Sequence, residues 1–228
     1  TTYISHLDNS MYTIYTTGFN LCHQSNLQKF ATNYFGLSRY EQGFQANLLR
    51  EQLSTAQFSL PFCESAHIYF GDLGIVYHSS GYKLGSFSEL SQEDFHQFQI
   101  AVQERGILHN YQNTLTNQME LSYLFMPSSN AGYGVNFVLS QEELTQYLED
   151  NISYPNERYL FTNERNFLLT NFEEKDRTFY EHFIHKTLKK TDTFLGYPVV
   201  KVDDTEYYAF SYELPHTSLR YIRLIQQA

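Results

Sequence analysis

Tryptophan is missing from this 228-residue sequence, cysteine occurs twice, proline five times, and Lys plus Arg are outnumbered 15 to 25 by Asp plus Glu. The charge deficit has the widest consequence. Binding to nucleic acid through its phosphates needs clustered Lys and Arg to displace counterions. Here the formal net charge is -10, and the longest basic run, Lys189-Lys190, is supported only by Lys186. The composition therefore argues against nucleic acid as a partner of this domain. No apolar run approaches the roughly 20 residues of a membrane-spanning helix, and no charged segment followed by an apolar one opens the chain in the manner of a signal peptide. Cys22 and Cys63 are too few for a disulfide framework and too widely spaced for a zinc-ligand pattern. Whether they pair with each other stays open, because pairing requires Cα atoms within about 7 Å.

The chain does contain 20 Tyr and 19 Phe. Tyr suits half-buried sheet faces, polar pockets and interfaces alike, so ordinary packing is the first reading of any one of them. With 42% hydrophobic residues and a mean hydropathy of -0.45, the sequence describes a folded chain of one large or two small domains.

Residues 1–33 are expected to form one long helix. Ile4, Leu7, Met11, Ile14, Gly18 and Leu21 follow alternating steps of three and four, apolar everywhere except at Gly18. Such a stripe is either the seam of a weak homodimer or a core face of its own domain. Ser38 with Glu41, Ser91 with Asp94, Ser140 with Glu143, and Asn171 with Glu174 have the spacing of helix-start caps. They predict helices near 38–58, 91–105, 140–150 and 172–190.

The intervening segments repeat. Ile68-Tyr69-Phe70, a turn, and Ile75-Val76-Tyr77 read as a hairpin, and 91 residues later Tyr159-Leu160-Phe161 and Phe167-Leu168-Leu169 do the same. Leu121 to Met126 with Gly134 to Leu139 likewise parallels Tyr207 to Leu214 with Leu219 to Ile225; their prolines, Pro127 and Pro215, stand 88 residues apart. Two copies of one hairpin–helix–strand-pair unit imply an α+β chain with a long N-terminal helix and two tandem modules, each with an antiparallel sheet.

Residues 65–80 (SAHIYFGDLGIVYHSS), 134–151 (GVNFVLSQEELTQYLEDN), 158–171 (RYLFTNERNFLLTN) and 207–225, in this order behind two helices, resemble the double Cache (dCache) extracellular sensor domain, built of two PAS-like modules. Such domains occur in bacterial transmembrane AraC-type regulators and histidine kinases. The resemblance implies a membrane-distal module at 34–139, a linking helix at 140–151 and a membrane-proximal module at 152–228. It also implies transmembrane helices flanking this sequence and a location on the extracytoplasmic face of the cell membrane. A small ligand would bind the distal module, where Tyr69, Tyr77, His78, Tyr82, Tyr123, Phe125, Tyr133 and Asn136 could supply the contacts. Binding would pass a conformational signal to a regulator or kinase output. The family's amino-acid-binding signature uses Trp and Arg in the distal strands. This sequence has no Trp, and no Arg between Arg50 and Arg105, so a neutral ligand is easier to accommodate than an amino acid held in that way.

Catalysis has little support. Glu181-His182-x-x-His185 reverses the order that zinc peptidases need, with no third ligand placed by the sequence. Neither Ser nor Cys sits in a nucleophile elbow, no phosphate-cradling glycine loop appears, and no cofactor is implied. Asn151-Ile152-Ser153 is formally a glycosylation sequon, of which one occurrence in a chain of this length is expected by chance. A hydrolase of unfamiliar type and a soluble interaction module are the rival classes to a sensor.

Overall fold

The computed structural model describes residues 2–79, 87–102, 108–163, 167–172, 199–202 and 205–226. They divide into two compact units, residues 9–141 (the first unit) and residues 1–8 with 142–228 (the second). Each is built around one antiparallel sheet.

The expected 33-residue helix is two helices, α1 (Thr2–Cys22) and α2 (Ser25–Asn33). The last turn of α1 tightens, with Gln24 N donating to the Leu21 carbonyl, and Gln24 then turns extended at φ -67, ψ 134. Ser25 and Asn26 follow, and the Asn26 side chain accepts from Leu27 N at 2.9 Å. Short polar side chains that bond nearby backbone favour helix ends over interiors, which is why the apolar rhythm did not carry the helix through.

The stripe on α1 is core. Leu7, Met11 and Ile14 have no exposed surface and Leu21 is buried, so these side chains follow the core-face reading of the stripe, being covered within the chain. Gly18, the break in the stripe, is a close-approach position, because a Cβ there would overlap the Phe125 ring.

Helices α3 (Arg39–Ser59) and α4 (Gln92–Ala101) begin at full capping boxes. Glu41 N donates to Ser38 Oγ while the Glu41 carboxylate accepts from Ser38 N at 2.8 Å, and Ser91 with Asp94 repeats the exchange. These bonds hold both carboxyls below their ordinary pKa, the serine hydroxyl being the largest cause in each, with the Thr114 side chain next for Asp94. Residues 103–107, the end of the second expected helix, lie outside the described residues.

The first unit's strands are β1 (Cys63–Phe70), β2 (Ile75–His78), β3 (Phe87–Glu89), β4 (Leu108–Asn113), β5 (Gln118–Phe125) and β6 (Tyr133–Leu139), in the order β3-β2-β1-β6-β5-β4. In the second unit α5 (Gln141–Glu149) precedes β7 (Arg158–Asn163), β8 (Phe167–Thr170), β9 (Val199–Val202), β10 (Thr205–Leu214) and β11 (Leu219–Gln226), in the order β8-β7-β11-β10-β9. The repeat is explicit: in each sheet the opening hairpin's first strand pairs with the last strand, which pairs with its predecessor. Helix α5 groups with the second sheet. The helix expected over 172–190, with Glu181, His182 and His185, lies outside the described residues. The Asn171 side chain bridges two neighbouring backbone groups: its Oδ1 accepts from Tyr159 N at 2.9 Å and its Nδ2 donates to the Glu157 carbonyl.

Within the second unit, Tyr147 donates its hydroxyl to the Tyr3 carbonyl at 2.8 Å, and His216 Nδ1 lies 2.6 Å from Asp8 Oδ2. Arg223 meets the fully buried Glu157 carboxylate in a bidentate pair at 2.6 and 2.7 Å.

Candidate functional site

The two faces of the first sheet have different chemistry. Cross-strand partners share a face, so the registers place Ala66, Ile68, Phe70, Tyr77, Tyr123, Phe125, Tyr133, Val135 and Phe137 on one side. This is the side of the N-terminal helices. Phe30 of α2 packs on Phe70 and Tyr77 at centroid distances of 5.2 and 6.1 Å, Tyr15 of α1 on Phe125 at 6.1 Å, and the Tyr133 hydroxyl donates to the Cys22 carbonyl at 3.1 Å. Tyr77, Tyr123, Phe125 and Tyr133, four of the eight positions considered for ligand contact, are thereby placed in a helix-covered core. No disulfide joins Cys22 to Cys63, and burial, with the neighbouring Glu64 charge, pushes the Cys63 thiol up to about 12.

The opposite face is covered in part by α4. Phe98 stacks on Tyr69 at 4.4 Å and meets Tyr111 edge-on, and Val76, Leu90, Phe95, Val102, Leu124 and Met126 complete the cluster. Gly134 is required here, since a Cβ would overlap the Phe98 ring.

Beyond this aromatic cover the same face turns polar. One rung crosses β2, β1, β6 and β5 as His78–His67–Asn136–Leu124, and the next crosses β1, β6, β5 and β4 as Ser65–Val138–Ser122–His109. Rungs on one face lie about 7 Å apart along the strands. Asn136 and Ser122 are fully buried, and the side-chain amide of Asn136 (both Nδ2 and Oδ1), Ser122 Oγ and His109 Nε2 have no partner at hydrogen-bonding geometry. The Tyr69 hydroxyl contacts His67 Nδ1 at a long 3.5 Å. Tyr69 is raised far above the usual phenol range by burial, with nearby Tyr111 adding to the rise and the Asn136 and Asn113 amides countering a small part of it.

Burial also decides the charge of the histidines. His67 is pushed down to about 3 by desolvation, with His78 adding to it; the His67 and His78 rings meet at 4.9 Å. Burial lowers His78 and His109 too. All three imidazoles are neutral at neutral pH, so each offers one donor and one acceptor. Glu120, raised by burial, accepts from Asn113 Nδ2 at 3.1 Å on both oxygens and from Thr116 Oγ1 at 3.3 Å. A strip of neutral donors and acceptors in an apolar surround orients a small molecule by hydrogen bonds.

Tyr69, His78 and Asn136 of the expected set come together on this face, and Tyr82 lies outside the described residues. His67, Ser122 and His109 were missed. For His67 and Ser122 the signal was present as isolated polar residues in otherwise apolar strands, Ala66-His67-Ile68 and Leu121-Ser122-Tyr123; His109, in the polar Leu108-His109-Asn110, carried none.

The corresponding face of the second sheet has Leu160–Ile222–Ser211 as a central rung and no such unpartnered atom among the described residues. The second unit's phenols with buried hydroxyls, Tyr3, Tyr159 and Tyr221, lie together on the other face, the rings of Tyr3 and Tyr159 having centroids 5.9 and 6.2 Å from that of Tyr221. Among the described residues no group of three His, Cys, Asp or Glu is placed to hold a metal ion, and no helix is long and apolar enough to cross a membrane.

No protein-family profile matches the chain, and no curated protein matches it in sequence. Solved structures do match it. The extracellular domain of the putative histidine kinase mmHK1S-Z3 superposes with a TM-score of 0.62 at 10% identity, over 100% of this chain and 91% of that one. That of the putative histidine kinase rpHK1S-Z16 does so at 0.58 and 13% identity, over 98% and 92%. The fold is that of histidine-kinase extracellular sensory domains. The double Cache resemblance read from the sequence agrees with it: an N-terminal helix and two antiparallel sheets of the same strand logic. The sensory domain of the Campylobacter jejuni chemoreceptor Tlp3, with isoleucine bound, aligns at a TM-score of 0.48 and 10% identity, over 99% and 92%.

Proposed function

We propose that this chain is the extracytoplasmic sensory domain of a membrane-anchored regulator, with the first unit as its membrane-distal, ligand-binding module. The second unit is the membrane-proximal module that passes the change to an output of the transcription-regulator or kinase type. Its work is binding, with no catalytic step. The observation that carries this reading is the set of four buried, unpartnered polar atoms on Asn136, Ser122 and His109 of one sheet face. Leaving such groups unpaired costs about 1–3 kcal/mol each, so folds rarely retain them without a use. A small molecule that bonds to them recovers that cost on binding, and its closure against α4 changes the packing around Phe98 and Tyr69.

The test is a thermal-shift screen of small metabolites on the domain, followed by Ser122→Ala and His109→Phe. A compound that raises the melting temperature of the parent and raises it much less in either variant supports the site. If no compound acts, or the hits act equally on parent and variants, the reading is wrong. A reporter assay in the intact protein, with the active compound outside the cell, then tests signal passage: an unchanged output would refute the sensor role.

A further inference from the structure

We infer that the ligand presents an uncharged edge with a hydrogen-bond donor beside an acceptor, as in a carboxamide, lactam or urea, and that Asn136 grips this edge with both atoms of its amide. This rests on the sheet-face reading above and adds the chemical class of the ligand.

The argument begins with what each unpartnered atom can accept. A serine hydroxyl and a neutral imidazole are adaptable, since rotation or a change of tautomer makes them donor or acceptor. Asn136 is not adaptable: its carbonyl only accepts and its NH2 only donates, side by side in one plane. Neither atom has a partner at hydrogen-bonding geometry, the nearby Tyr69 hydroxyl being the one group that interacts with the amide, and the residue is fully buried at the centre of a four-strand rung. A carboxylate offers two acceptors and would oppose its lone pairs to Oδ1. An ammonium offers donors alone and would leave Nδ2 unsatisfied. A primary amide, lactam or urea edge matches both atoms at once.

Charge points the same way. Strands β1 to β6 and α4 contain no Lys or Arg in any described residue, while Lys83 and Arg105 lie outside the described residues. The three histidines of the face are kept neutral by burial. Transferring an unpaired carboxylate into such surroundings is costly. On the anionic side, both oxygens of Glu120 are already engaged by Asn113 and one also by Thr116.

The experiment records the Asn136 side-chain NH2 signals in 15N–1H spectra, assigned by their loss in Asn136→Leu. Acetamide, urea, 2-pyrrolidone and nicotinamide are titrated against acetate, nicotinate and methylammonium. The expected result is a saturable shift of the Asn136 signals with at least one uncharged probe, at least tenfold tighter than with its charged counterpart, and loss of that binding in Asn136→Leu. If a charged probe moves the signals at equal or lower concentration, the ligand class is wrong while the site stands. If probes bind with the Asn136 signals unmoved and with undiminished affinity in Asn136→Leu, the site reading itself fails. If no probe moves the signals, the inference is overturned.

Discussion

Replacing Asn136 with Leu should make the ligand-free domain more stable. Asn136 is fully buried in the middle of the first sheet, with neither amide atom partnered at hydrogen-bonding geometry and only the Tyr69 hydroxyl near enough to interact. A buried, unsatisfied amide costs about 1–3 kcal/mol relative to its solvated state, and Leu has nearly the same shape without that penalty. Its neighbours across the strands are His67 and Leu124, and neither donates to it or accepts from it. Taking about 2 kcal/mol as the central figure, and roughly 2–4 °C per kcal/mol for a chain of this size, the melting temperature should rise by about 4–8 °C. The assay is urea unfolding and thermal melting of protein stripped of ligand by denaturation and refolding. Expected is a higher midpoint with an unchanged denaturant slope, together with loss of binding. A fall of 2 °C or more would mean that Asn136 has a native partner, and the reasoning would be refuted. Functional groups held against stability in this way are a common form of stability–activity trade-off.

Acidification should destabilise the first unit. His67 has a folded pKa of about 3 against about 6.5 unfolded. Below about 6.5 the unfolded chain therefore takes up a proton that the native state refuses, and stability falls with pH down to about 3. At pH 5 this single group costs about 2 kcal/mol; His78 and His109 act in the same direction, and the raised Glu120 partly offsets them. A urea midpoint equal at pH 7 and pH 5 would contradict the neutral-histidine account. In the second unit, Arg223→Met leaves the fully buried Glu157 carboxylate without its cation and should cost about 3–5 kcal/mol. A loss below about 1 kcal/mol by urea unfolding would show that water or another group takes the arginine's place. Replacing Leu7 and Met11 together with Ser should lower the melting temperature of the domain steeply, at about 2–5 kcal/mol for each fully buried side chain. A retained melting temperature would return the stripe to a chain–chain seam.

Local signals carried much of the architecture. The boxes at Ser38/Glu41 and Ser91/Asp94 start their helices as read, and the four hairpin strands repeated near 91 residues pair as expected. Strand β4 was overlooked because Leu108-His109-Asn110-Tyr111-Gln112-Asn113 has no β-branched residue; its pairing with β5 forms it. The helix break at Gln24 was hidden because the apolar steps of α1 run up to it and Leu27 and Phe30 resume beyond it. For the site, the faces of β6 were the obstacle. All seven residues of Tyr133–Leu139 are buried, so alternation could not tell the α1 side from the α4 side. Attention to aromatics therefore mixed the helix-packed Tyr123 and Phe125 with the polar rung of His67 and Asn136, which only the register separates.

The most direct measurement is a crystal structure of the protein purified without denaturation, at a resolution that shows ordered water. The account predicts density beyond the protein's own, bonded to Asn136 Nδ2 and Oδ1 and reaching Ser122 Oγ or His109 Nε2. Protein side chains bonded to those atoms, with no further density beside them, would contradict it.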